Sequence, residues 1–323
     1  MKALVYTGPE AMEYRDAADP VAGPGETIVK ISHVGICGSD MHAYLGHDDR
    51  RPAPLILGHE GAGTTEDGRR VTINPLVPCG TCVNCRAGNE NICPNRQLLS
   101  MPPREGAFAE WITVPDVNLV EVPADMPFEK AALAEPLAVC WHAAKIGRRV
   151  LGGASRALVV GGGAIGVGSA LALLAQGTVE VVVVESNETR REYLSKMGLN
   201  AVAPDDLGEN GGYDIVMDAV GYDATRATSS AQVRPGGVIV HIGLGDGSGG
   251  LDVRYFTLQE VTFMGSYCYT KKDFRETVEA MVDGRLGSLD WIELRGLSEG
   301  QNAFQDIRAG VVAAPKIVLV PGN

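Results

Sequence analysis

Four cysteines fall within CGTCVNCRAGNENIC, Cys79, Cys82, Cys85 and Cys93, among Pro78, Gly80, Gly88 and Asn89. Two-residue gaps let a tight turn aim successive thiolates at one centre, and four thiolates fill a tetrahedral zinc with no position left for substrate. The expected role is structural. Disulfides are the competing use of cysteine, but the count of seven is odd, and the N-terminal MKALVYTGPEAMEYRD turns polar too soon for a secretory signal.

A second constellation begins at Ala157, ALVVGGGAIGVGSALALLAQG, and continues into VEVVVVES. The pattern predicts a buried strand over 157–160, a glycine turn, an Ala/Leu-rich helix and a strand ending at Glu185. A lone G-x-G-x-x-G is only a glycine-rich turn. Between strand and helix, with an acidic residue nineteen positions after Gly166, it has the context of a dinucleotide site. Gly161, Gly163, Ala164, Ile165 and Gly166 would bring the backbone to the pyrophosphate at the helix N-terminus. Glu185 would accept hydrogen bonds from the adenosine ribose and repel a 2′-phosphate, which favours NAD over NADP; Arg190 and Arg191 pull the other way.

A third stretch, AEPLAVCWHA at 134–143, holds Glu135, Cys140 and His142. Pro136 biases Glu135 away from helical backbone and suits a first helical position, so a helix is expected to start there with Glu135 as N-cap. Cys140 and His142 then face about 200° apart around the axis and cannot share a metal. Glu135 and His142 stand about 10 Å apart along it, too far for zinc bonds near ~2 Å. Leu137, Cys140, Trp141 and Ala144 form an apolar stripe, which assigns Cys140 to the core. Glu135 is left as the candidate ligand, its ionised form favoured by the helix N-terminus.

The elements that must position these groups divide the 323 residues into two lobes. Strands are expected in YDIVMDAVG (213–221), GGVIVHIGL (236–244) and EVTFMGS (260–266), alternating with helices, which means a doubly wound parallel sheet over 139–270. Residues 1–138, rich in Gly and Pro with short Val/Ile runs, would form the other lobe, with the cysteine cluster at about 76–97. An amphipathic helix from Lys271 to Gly284 and a last strand in APKIVLVP place 271–323 with that first lobe. A formal charge of −12 disfavours nucleic acid and anionic membranes, and no apolar run approaches the ~18 residues of a membrane span. A cytoplasmic protein with a small-molecule partner is expected.

GICGSDMHAYLGH and LILGHEGAG hold Cys37, Ser39, Asp40, His42, His59 and Glu60. With the cysteine cluster and the glycine fingerprint following in order, the chain resembles, over almost its whole length, the zinc-dependent medium-chain dehydrogenases. EKAALAEPLAVCWHA is similar to their polyol and threonine dehydrogenase branch, where Glu-Pro-Leu replaces the cysteine that closes the catalytic zinc site of ethanol-type enzymes. The resemblance implies an α/β protein, a GroES-like β-rich catalytic domain plus a Rossmann domain, using zinc and NAD and assembled as a homo-oligomer, dimer or tetramer. It makes Cys37 and His59 ligands of a catalytic zinc, and Glu60 and Glu135 carboxylates that bind it directly or through water. Asp40 would fix the His59 ring from behind. Zinc would favour deprotonation of the alcohol, Ser39 would take the proton, His42 would relay it outward, and hydride would pass to the nicotinamide.

Two features depart from that family. EGAGTTEDGRRVTINP reaches the cysteine lobe from His59 in about twenty residues, with Asp67-Gly68 as a tight turn where relatives run longer. In GSYCYT, Cys268 stands where many polyol-type relatives carry an arginine, which weakens a sorbitol-like assignment. Cys268 is expected in the core, and His33, His47 and His241 in structural roles. The expected activity is NAD-dependent oxidation of a secondary alcohol, a polyol or sugar-derived alcohol, to a ketone. L-Threonine or butanediol oxidation is the nearest enzymatic alternative, and a non-catalytic NAD-binding sensor the alternative of another class. Ser39 and His42 beside the ligands argue against the sensor, and the two metal constellations argue against a zinc-free quinone reductase.

Overall fold

The computed structural model describes residues 1–208 and 211–322. Its chain forms two compact units: Met1–Glu135 with Thr270–Gly284 and Ser288–Asn323, and Pro136–Tyr269 with Arg285–Gly287. The first boundary thus falls after Glu135 rather than after residue 138, and three residues of the C-terminal segment, Arg285–Gly287, join the second unit.

In the first unit a seven-stranded sheet runs in the order Leu119–Glu121, Arg70–Ile73, Glu60–Thr65, Glu26–Gly35, Lys316–Val320, Ile292–Gly296, with Trp111–Pro115 also paired to Glu26–Gly35. Lys316–Val320 pairs antiparallel with Glu26–Gly35, so the end of the chain is built into the middle of the sheet. Val29, Val34, Ala62, Val71, Ile73, Val318 and Leu319 are fully buried, and the burial of these apolar side chains is what ties the segments together. The shortened connection after His59 is a real hairpin. Glu60–Thr65 pairs antiparallel with Arg70–Ile73, the Gly68 N–H donates to the Thr65 carbonyl, and Gly68 has φ of +86°, which glycine adopts without strain.

The second unit holds a six-stranded sheet, every pair parallel, in the order Asn200–Val202, Glu180–Val184, Arg156–Val160, Tyr213–Asp218, Val233–His241, Thr262–Gly265. Chain order reverses at Arg156–Val160, so the crevice at that strand's C-terminal end is where doubly wound sheets bind ligands. Leu158, Val160, Val182, Val184, Val216 and Ile239 form one core cluster there.

The helix carrying Glu135 runs Ala134–Leu151, two positions ahead of the expected start. Glu135 is therefore in its first turn and not its N-cap. The reason is local: the first helical turn donates no intrahelical N–H, so Pro136 is tolerated within it and need not begin it. Cys140 is fully buried, its thiol donating to the Ile165 carbonyl at 3.2 Å, and a Cβ on Gly168 would come within 2.7 Å of its sulfur. Cys268 is only half-buried and takes a left-handed backbone, φ +46°, so it is not the ordinary core cysteine expected. His241 has the partner that sequence could not reveal: its Nδ1 lies 3.2 Å from buried Asp218 Oδ2. His33 Nδ1 lies 3.0 Å from Ser32 Oγ.

Candidate zinc and dinucleotide sites

Two groups of metal-ligating side chains converge among the described residues, and each has its ligand atoms within 4.8 Å of one another: Cys79, Cys82, Cys85, Cys93, and Cys37, His59, Glu60. In the first, Cys79 and Cys85 sulfurs are 3.9 Å apart, Cys82 and Cys85 3.4 Å, and Cys93 and Cys79 3.5 Å. Four thiolates at zinc-bond length around a tetrahedral ion would be about 3.8 Å apart, so the donors fit zinc. The loop is wound to achieve this. Gly80 and Gly88 both take positive φ, +74° and +76°, and the four-residue helix Val83–Arg86 turns Cys85 back towards Cys82. Backbone N–H groups of Thr81 and Cys82 push the Cys79 thiol down to about 6, favouring the metal-binding thiolate.

The second group is assembled from the N-cap of a short helix, the residue just before the strand Glu60–Thr65 and the first residue of that strand. Cys37 is the N-cap of the helix Gly38–Tyr44, and Asp40 in its first turn reaches back to accept from the Cys37 N–H at 3.0 Å. The same carboxylate accepts from the Gly58 N–H at 3.2 Å and stands 3.3 Å from His59 Nδ1. Asp40 thus binds both segments that carry the candidate ligands and fixes the imidazole so that Nε2 faces the site. Burial alone would lower the basicity of His59, but the negative charges of Asp40 and Cys37 outweigh it and hold its pKa well above the ordinary value.

Sequence reasoning missed two supports. Ser100, fully buried with φ +66°, places its hydroxyl 3.2 Å from His59 Nδ1. Arg51, also buried, donates to the Ser100 carbonyl at 3.0 Å, to the Ser39 carbonyl at 3.3 Å and to Asp48 at 2.6 Å. Neither lies in a metal-binding spacing, so no local signal pointed to them. Ser39 Oγ is 3.5 Å from His59 Nε2, on the metal side of the ring. His42, three residues along the same helix, accepts at its backbone carbonyl from the His47 N–H.

A third missed residue is Lys316. Its Nζ lies 2.7 Å from both carboxylate oxygens of Glu60 and donates to the Ile36 carbonyl at 2.9 Å. Burial opposes its charge, yet the negative Glu60 and Cys37, with Glu135 behind them, raise its pKa above that of an ordinary lysine. Glu135 is buried and near enough to act on Lys316, but it is not one of the three residues whose ligand atoms converge.

At the glycine turn, Gly161 takes φ +100° and donates to the Val184 carbonyl at 2.8 Å. A Cβ on Gly166 would sit 1.8 Å from the Gly161 carbonyl oxygen, so close helix-to-turn packing requires glycine there. Gly163 differs: a Cβ would meet nothing within 4 Å, and its backbone is ordinary extended. No neighbour in the chain demands glycine at 163, whereas a diphosphate lying on the N-terminus of Ala164–Ala175 would. Glu185 directly follows the next strand, Glu180–Val184, and is buried, its Oε2 accepting from the Gly162 N–H and its Oε1 from the Asn187 N–H, both at 2.8 Å. Gly162 is not one of the spaced glycines of the fingerprint, so the motif gave no signal for it. Arg190 Nη1 is 3.8 Å from Glu185 Oε2, and Arg191 donates to the backbone carbonyls of Glu185 and Ser186.

Along most of its length the chain is similar to known dehydrogenases. Residues 23–124 match the alcohol dehydrogenase GroES-like domain and residues 164–283 the zinc-binding dehydrogenase domain. The chain is 31% identical to L-galactonate-5-dehydrogenase of Escherichia coli (strain K12) over 88% of each protein. It is 29% identical to (R,R)-butanediol dehydrogenase of Saccharomyces cerevisiae over 100% of this chain and 99% of that one. Among solved structures, a Sinorhizobium meliloti 1021 protein described as a zinc-binding dehydrogenase bound to NADP superposes with a TM-score of 0.88, 26% identical, over 99% of both chains. The two family models, matched in succession over residues 23–124 and 164–283, and a relative 31% identical over 88% of each protein make this chain a member of the zinc-dependent medium-chain alcohol dehydrogenase family, in its polyol dehydrogenase-like branch.

Proposed function

We propose that this dehydrogenase oxidises a secondary alcohol carrying neighbouring hydroxyls, a polyol or sugar-derived alcohol, to the ketone with NAD. The observation that carries the reading is the convergence of Cys37, His59 and Glu60 within 4.8 Å, with Ser39 Oγ beside the His59 Nε2 face. Cys37, His59 and Glu60 would hold the catalytic zinc, with Glu135, whose charge also acts on Lys316, the carboxylate that would alternate with Glu60, and the four clustered cysteines would hold the structural one. A bound zinc supplies a Lewis acid that lowers the pKa of the substrate hydroxyl.

The chain's own groups do the rest. Ser39 accepts the hydroxyl proton at Oγ, and His42 passes it towards solvent. The Gly161–Gly166 turn, with Ala164 and Ile165, receives the cofactor diphosphate, and Glu185 holds the adenosine ribose with Arg190 beside it. Because both Glu185 oxygens already accept backbone N–H groups, the carboxylate is fixed where a 2′-phosphate would meet negative charge, which supports NAD over NADP. L-Galactonate and vicinal butanediols, the substrates named for two relatives, define the first compounds to try. Because Cys268 stands where many polyol-type relatives carry an arginine, neutral polyols come before phosphorylated ones in that series.

The strand Thr262–Gly265 is last in its sheet, with Phe263 partly exposed, and we assign it as the surface through which two chains pair. None of the seven cysteines is in a disulfide, which fits a reducing cytoplasm. Among the described residues no helix is long and apolar enough to cross a membrane.

The test is metal analysis with NAD and NADP reduction over a panel of polyols, sugar acids and vicinal diols. Two zincs per chain and NAD-linked turnover of a secondary alcohol are expected, with Ser39→Ala losing turnover while keeping zinc and NAD affinity. Two zincs with no turnover on any alcohol would favour a binding protein, and unchanged turnover in Ser39→Ala would remove the relay.

A further inference from the structure

The Glu60 carboxylate sits in a space that the chain has cleared for it. Glu60 pairs across the sheet with Gly35, and a Cβ on Gly35 would fall 2.0 Å from Glu60 Oε2. The next strand over places Val318 beside Gly35, and two residues before it Lys316 projects its ammonium onto both Glu60 oxygens and the carbonyl of Ile36, the residue before Cys37. Glu60 is 0% exposed and Lys316 3%, so the pair is formed out of water, where each charge needs the other.

We propose that Lys316 is a positioning residue that shares the Glu60 carboxylate with the metal position, weakening Glu60 as a ligand and leaving Cys37 as the main negative donor. This rests on the reading of Cys37, His59 and Glu60 as a zinc site. The electrostatics are simple. Two anionic donors would cancel the charge of a divalent ion, whereas a carboxylate neutralised by its own ammonium leaves the centre positive and able to stabilise a hydroxyl losing its proton. Gly35 and Lys316 come from opposite ends of the chain, and together they fix where Glu60 points.

The experiment compares the intact wild-type chain, Lys316→Met, Glu60→Gln and the double variant. The readouts are zinc content, the rate at which a chelator removes the more labile zinc, and the visible absorption of cobalt placed at that site. With the ammonium gone, Glu60 binds the metal outright: Lys316→Met releases zinc more slowly, by about 10-fold or more, and changes the cobalt spectrum. Glu60→Gln cancels both effects, so the double variant behaves as Glu60→Gln alone. Lys316→Gln, which keeps a donor opposite Glu60 and removes only the charge, carries the same expectation should the methionine variant fail to fold. An unchanged release rate in a folded Lys316 variant overturns the proposal, as does the same slowing in the Glu60→Gln background. A wild-type chain that binds only one zinc would instead refute the metal reading itself.

Discussion

Replacing Asp40 with asparagine tests whether the catalytic ligands are held as the geometry requires. The Asp40 carboxylate, fully buried, accepts from the Cys37 N–H at 3.0 Å and the Gly58 N–H at 3.2 Å, and lies 3.3 Å from His59 Nδ1. Asparagine keeps the shape but offers one acceptor oxygen and turns an amide NH2 towards donors. A hydrogen bond to a charged group contributes about 1.5–3 kcal/mol, against about 0.5–1.5 for a neutral one. Ser100 Oγ, at 3.2 Å from the same nitrogen, can keep the imidazole partnered but not charge-stabilised. The net loss at His59 is therefore about 1–1.5 kcal/mol, or roughly 5–13-fold in affinity for the metal. Chelator competition on the intact chain measures it: Asp40→Asn should surrender one zinc at a chelator concentration the wild type withstands, while the zinc of the cysteine cluster stays. Retention of both zincs at wild-type affinity would show that Asp40 does not orient the ligand.

Further outcomes follow from individual contacts. Gly166→Ala, whose Cβ would lie 1.8 Å from the Gly161 carbonyl oxygen, should abolish NAD binding in a titration followed by nucleotide fluorescence, with zinc content unchanged. Cys93→Ser, at a buried sulfur 3.5 Å from Cys79, should lose the structural zinc and lower the Tm, read by metal analysis and calorimetry. Burial would raise the Asp218 pKa, but His241 and the N–H groups of Gly221 and Val220 outweigh it and hold the carboxyl below its ordinary range. Its folded pKa is the lower one, so its stabilisation is complete above about pH 3.9 and is lost as the pH falls below that value towards the folded pKa. Asp218→Ala should accordingly be less stable than wild type in urea at pH 7, with the gap narrowing below about pH 3.9. A gap that widens on acidification would contradict this.

Much of the chemistry was legible because it is local. The cysteines of CGTCVNCRAGNENIC need only their own turns to meet, and GGGAIG needs only the strand before it and the helix after it, so spacing alone specifies both. Where a helix begins was less legible: Pro136 tolerates any place in the first turn, and the chain before it decided for Ala134. What no window of sequence could contain is the surroundings of Glu60 and His59. Lys316 lies 256 positions from Glu60, Ser100 lies 41 from His59, and Asp218 lies 23 from His241. Those partners are chosen by strand register: Gly35 opposite Glu60 and Val318 beside Gly35 bring a C-terminal lysine to an N-terminal carboxylate. Sequence by itself determined which residue types could bind zinc and a dinucleotide, because those motifs carry their geometry in a short stretch of backbone. Tertiary structure alone decided how each ligand is charged and oriented, because a buried group is partnered by whatever the sheet order places against it, and an unpaired charge there is too costly to leave.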